Sequence, residues 1–184
     1  EACADEREAT VRERLAGVFR RYGKPRRMLV DTDLIGWGPP WGASSTPDAL
    51  TKLEVWLMRH GIAVTHSRPR HPQTLGKDER FHRTLWREAL QDRAFADIGA
   101  CQRHLDRFRE TYNHERPHHA LNLAVPASRY RMSQRTFNET LEPVLYGPHD
   151  LLRKVAKDGY VLLNGRRHSL GLALAFQTVA LRPT

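Results

Sequence analysis

The strongest constraint on this chain is an alternation of helical and strand-like hydrophobic patterns over its opening 66 residues. The segment Asp5 to Tyr22 carries Val11, Leu15, Val18, Phe19 and Tyr22 at the i, i+4, i+7, i+8 spacing of an amphipathic helix. Gly23 supplies a stop and Pro25 ends the pattern. Arg27-Met28-Leu29-Val30-Asp31 then reads as a short, largely buried strand closing on a carboxylate. Gly36-Trp37-Gly38-Pro39-Pro40-Trp41-Gly42 excludes regular ladders and reads as a loop, with Trp37 and Trp41 covering the core edge or offering stacking platforms. Thr46-Pro47 opens a second helix as N-cap and first-turn proline, running through Leu50, Leu53, Trp56 and Leu57 to Gly61. Ile62 to His66 is a second short strand. The order helix, strand, helix, strand predicts an α/β protein.

Beyond residue 66 the pattern turns helical and then β. Leu75 to Leu90 predicts a helix, and Asp97 caps another that carries Ile98, Cys101, Leu105, Phe108 and Tyr112. Arg116 to Pro126 is an irregular, proline-punctuated extension, and residues 132–148 read as a linker. Asp158-Gly159 and Asn164-Gly165 each separate apolar runs, which predicts a small antiparallel β module over residues 149–184. The expected division is 1–131, 132–148 and 149–184.

Charge narrows the function. Among 184 residues, Lys and Arg number 30 and Asp and Glu 21, a formal charge of +9. Together with a pI near 10.1, this favours a polyanionic partner, because counterion release from the polyanion drives such binding. A mean hydropathy of −0.63, with no run of 18 apolar residues, excludes a helical membrane protein, and the charged first residues do not read as a signal peptide. Cys3 and Cys101 are too few for a disulfide scaffold or a cysteine-based zinc site, and His114, His118 and His119 do not by themselves make one.

Two carboxylates stand where ligands gather in α/β proteins. Asp31 closes the first strand, and Glu79 lies in the first turn of the helix after the second. Taken singly, Asp31 fits a turn residue, and Glu79 fits a side chain favoured by the helix dipole. Glu79 sits in a cationic and amide-rich run, Ser67 to Arg83, where Arg80, Arg83 and Arg87 fall near one helical face suited to phosphates.

The string His71-Pro72-Gln73-Thr74-x-Gly76-Lys77-x-Glu79-Arg80-Phe81-His82-Arg83-Thr84-Leu85 resembles the integrase catalytic core of bacterial insertion-sequence transposases. Tyr112-Asn113-x-x-Arg116-Pro117-His118-x-Ala120-Leu121 and Pro126-Ala127-x-x-Tyr130 are similar to that family's downstream signature. The resemblance implies a ribonuclease-H-like fold, here partial and lacking its first three strands, followed by a small SH3-like β module. It further implies a DDE site that cleaves and joins DNA strands in transposition on two Mg²⁺ or Mn²⁺ ions about 4 Å apart. Glu79 matches the final glutamate and Asp31 the second aspartate, both as metal ligands. The usual Asp-Asn-Gly turn reads Asp31-Thr32-Asp33 here, which keeps Asp33 open as an alternative ligand. The forty-seven residues 32–78 between the pair form a wider gap than in retroviral integrases, with the 36–46 loop taking up the extra length.

The family's first aspartate lies upstream of the first helix, so the resemblance leads to the expectation of an N-terminally truncated, catalytically incomplete chain. Arg68, Arg70, Gln73, Lys77, Arg80 and Arg83 would contact DNA, the expected partner, in the bacterial cytoplasm. A homo-oligomer, or association with a full-length transposase, is implied as well. The competing expectation is a non-catalytic, DNA-binding or multimer-forming fragment.

Overall fold

The computed structural model describes residues 1–5, 7–30, 50–66 and 76–182. The chain is mixed α/β with small two-stranded sheets, and its contacts divide it into two compact units. One unit combines Glu6–His66 with Arg135–Thr184, and the other combines Glu1–Asp5 with Ser67–Gln134.

In the first of these, helix α1 (Glu8–Tyr22) buries Ala16 and Phe19, with Val11, Leu15 and Val18 packed beside them. It ends as its sequence dictates: Gly23 takes φ 75° and returns its N–H to the Phe19 carbonyl at 2.9 Å. Strand β1 (Arg27–Val30) and strand β2 (Ala63–His66) run parallel, with Arg27 opposite Ala63 and Val30 opposite His66. Helix α2 (Lys52–Arg59) is part of the crossover that a parallel pair requires. β1 is less buried than its apolar run predicts, since its residues alternate between exposed and half-buried and Leu29 is 42% exposed. One face of the strand, with Met28, packs on the helical core, while Leu29 lies on the other.

The start of α2 also differs from expectation. Thr46 and Pro47 lie outside the described residues, whereas Leu50 and Thr51 are non-helical and Thr51 is the N-cap. Its hydroxyl accepts from the Glu54 N–H at 3.2 Å, while the Glu54 carboxylate accepts the Thr51 N–H at 2.5 Å. This reciprocal box satisfies two otherwise orphaned donors at the helix start. Behind it Leu53, Trp56, Leu57 and Ile62 complete the core with Phe19, and Leu57 and Ile62 are fully enclosed.

Residues 135–142 close that core from far along the chain. Arg135 donates to the carbonyls of Pro25, at 2.5 Å, and Gly61, at 2.7 Å, and its own carbonyl accepts from Lys24 N–H at 2.7 Å. Phe137 lies 5.7 Å from Phe19, 6.1 Å from Trp56 and 4.8 Å from His60, ring centre to ring centre.

The C-terminal strands are β3 (Leu151–Lys154), β4 (Tyr160–Leu163), β5 (Arg166–Ser169) and β6 (Thr178–Leu181). β4 and β5 form the expected hairpin, for Asn164 (φ 51°) and Gly165 (φ 75°) both adopt the left-handed conformation of its two-residue turn. Asp158-Gly159 also reverses the chain, with Ala156 N–H bonded to the Tyr160 carbonyl, yet β3 pairs antiparallel with β6 instead of β4. Asp150 fastens this end of the chain. It accepts from Arg182 at 2.6 and 2.8 Å and from Gly147 N–H at 2.7 Å. The Arg182 guanidinium, helped by that N–H, lowers its carboxyl to a pKa of about 2.

Candidate functional site

The second unit carries Glu79. Helix α3 (Gly76–Leu85) continues into a π turn, Trp86–Leu90, and helix α4 (Ile98–Glu110) continues into another, Thr111–Glu115. Asp97 caps α4 as its sequence predicts, accepting from Ala100 N–H at 2.6 Å. Phe81, Thr84 and Leu85 of α3 are half-buried and Ala89 is fully buried. Phe81 stands edge-on to Tyr112 at 5.3 Å and 6.4 Å from Phe108, so this face is turned toward α4.

The opposite face is exposed and charged. Glu79, Arg80 and Arg83 on it lie in water, and Lys77 in the first turn, one turn before Phe81, and Arg87 beyond the helix are exposed as well. Glu79 sits in the first turn of α3, where the positive end of the helix dipole favours a carboxylate. It has no hydrogen-bond or ion-pair partner among the described residues, whereas the neighbouring Asp78 reaches His82 at 3.7 Å. A solvated, unpartnered carboxylate is a hard-oxygen donor available to a divalent ion. Among the described residues no three His, Cys, Asp or Glu side chains converge as metal ligands. Asp31, Asp33, Arg68, Arg70 and Gln73, along with Trp37 and Trp41, lie outside the described residues. The residues placed are therefore Glu79, Lys77, Arg80 and Arg83, all on one short helix. Arg87 belongs to the π turn that follows it.

The downstream motif turns out to brace this helix. Arg116 donates two bonds to Glu88, at 2.7 and 2.6 Å, tying the π turn after α3 to the end of the π turn after α4. Its guanidinium also lies over the Tyr112 ring at 5.7 Å, and His118 meets that ring edge-on at 4.8 Å. An open cleft of about 450 Å³ is lined by Glu88, Phe108, Thr111, Tyr112, Glu115 and Arg116. Glu88 was not singled out by sequence, because its role appears only when a residue 28 positions away reaches it.

These features define a basic α/β chain with an exposed carboxylate beside arginines on one helix. Residues 60–126 match the family model of the integrase core domain. That domain implies a ribonuclease-H-like fold for this stretch, DNA binding, and the DNA transposition and integration chemistry that typically runs on divalent metals. The matched stretch contains all of α3 and α4 together with the Tyr112 to Leu121 motif. No helix among the described residues is long and apolar enough to cross a membrane.

Proposed function

We propose that this chain is part of the catalytic core of an insertion-sequence transposase, acting on DNA by strand cleavage and strand transfer. The observation that carries this reading is the exposed Glu79 carboxylate beside Arg80 and Arg83 on α3, inside the stretch that matches the integrase core. Glu79 and Asp31 are the acids assigned to the metal site, with Asp33 as the alternative to Asp31. Mg²⁺ or Mn²⁺ bound there would neutralise charge on the entering and leaving oxygens of the phosphodiester.

The protein's own side chains do the rest. Glu79 stands on a helix and not on a loop, and the π turn that follows this helix is tied to Arg116 through Glu88. Lys77, Arg80 and Arg83, with Arg68 and Arg70, hold backbone phosphates, and Gln73 reaches a sugar or base edge. Phosphate contacts set the register of the strand, and the carboxylates then meet the bond to be cut.

The test is conversion of supercoiled plasmid to nicked circles in Mg²⁺ or Mn²⁺, with Glu79→Gln as the control. Nicking that disappears in Glu79→Gln supports the assignment. Nicking that persists unchanged removes Glu79 from the site. A chain that binds the plasmid in a salt-dependent way and nicks nothing favours the non-catalytic DNA-binding reading.

A further inference from the structure

The exposed face of α3 leads into an aromatic ring. Successive helix positions turn by about 100°, so Glu79 and Arg83 stand opposite Phe81, the ring that faces α4. Leu85 keeps α-helical φ −55° and ψ −48°, which carries the same line one residue further, to Trp86. Glu79, Arg83 and Trp86 thus fall within about 60° of one another around the axis. The Trp86 residue is 58% exposed, and its indole makes no hydrogen bond, ring contact or cation contact with the described residues. Packing of α3 does not call for a large ring there, because Phe81, Leu85 and Ala89 supply the face toward α4. Arg83, one turn earlier, and Arg87, next in the chain, are both exposed. A free indole is therefore set in water among guanidinium groups, on the same face as the Glu79 carboxylate.

We propose that Trp86 is a base-stacking subsite, a platform for an unstacked base of a DNA strand whose phosphates lie on Arg83 and Arg87; the inference rests on the DNA reading above. A nucleotide offers a flat π face and an anionic phosphate together, and an indole beside guanidinium groups meets both. Charge decides against an apolar protein partner: the ring is flanked by arginines on a chain of formal charge +9, which favours a polyanion. Bases inside an intact duplex hide their faces in the stack, so the platform selects a frayed or single strand. At 1.5 Å per residue, Trp86 lies about 10 Å along the axis from Glu79, about three nucleotides at a rise of about 3.4 Å. A base held there positions the strand so that a phosphodiester, and not a base, reaches Glu79. No covalent bond forms or breaks at Trp86.

The experiment measures binding by anisotropy, across a salt series, of two fluorescein-labelled probes: oligothymidylate of about 20 nucleotides and a blunt duplex of about that length. The full chain is compared with its Trp86→Ala and Trp86→Phe variants. Trp86→Ala is expected to weaken binding of the single strand roughly tenfold. The salt slope should stay the same, because stacking releases no counterions. Binding of the duplex, carried by phosphate contacts, should hardly change. Trp86→Phe keeps an aromatic face and should recover most of the loss. Equal losses on both probes, the mark of a merely structural residue, overturn the inference. So does no loss on either probe, or a Phe variant as weak as the Ala variant. In those cases salt-dependent binding by the unaltered chain leaves the DNA reading standing. If the unaltered chain binds neither probe, the DNA reading fails and takes this inference with it.

Discussion

His60 shows what a single side chain can hide from sequence. Its ring meets Trp56 edge-on at 4.8 Å and lies 4.8 Å from the Phe137 ring, and its buried Nε2 has no hydrogen-bond partner among the described residues. Burial lowers its pKa below 6.5, and the nearby charges of Lys24, Arg12 and Arg59 lower it further. The folded protein therefore binds a proton at this site less readily than the unfolded chain does. Stability from this source is complete above pH 6.5 and falls as pH drops from there toward the folded value. Urea denaturation at about pH 8 and about pH 5 should show the loss, and His60→Leu should reduce it. If the variant keeps the full pH dependence, His60 is not its source. Glu79 and its cations can be named from residue identity and spacing, and the structure places Glu79, Lys77, Arg80 and Arg83 on α3. The role of His60 cannot, since it depends on partners brought from other elements.

At the scale of elements, the helices were read well and the strand partners less so. Gly23, Asp97 and the Asn164-Gly165 turn fixed element ends through local chemistry that a sequence displays directly. The helix expected to pass through Leu50 begins at Lys52, because the Thr51-x-x-Glu54 box caps it there. The pairing of β3 with β6 was missed for another reason: a turn dipeptide reports a reversal, not the strand that lies alongside. Gly159 has a more exacting duty than turning. It adopts φ +81°, and a Cβ there would come within 2.6 Å of the Gly171 carbonyl carbon. Gly159→Ala should cost about 2–4 kcal/mol, through backbone displacement and left-handed strain together. A thermal melt indistinguishable from that of the unaltered chain would show that the two segments can separate freely.

At the scale of the molecule, the division into units owes little to chain order. The 132–148 stretch shows no hydrophobic period, and the contacts of Arg135 and Phe137 rest on single side chains that a period cannot report. Phe137 completes an aromatic cluster with Phe19, Trp56 and His60. Phe137→Ala should destabilise the chain by about 2–4 kcal/mol in chemical denaturation, while a change under about 0.5 kcal/mol would mean the cluster repacks without it. The same closing contacts bear on how the protein is made. Arg20 meets Glu139 across 119 residues, and Arg135 meets Pro25 across 110. On a ribosome, α1 and α2 emerge long before the segment that seals them, and residues 67–134 are synthesised in between. The early half must therefore wait with Phe19 and Trp56 unsealed until the late half arrives, a delay set by the rate of translation and by closure of a long loop. In that interval its exposed aromatic surface is open to chaperones, and slowing translation after residue 66 should lengthen their hold on the nascent chain.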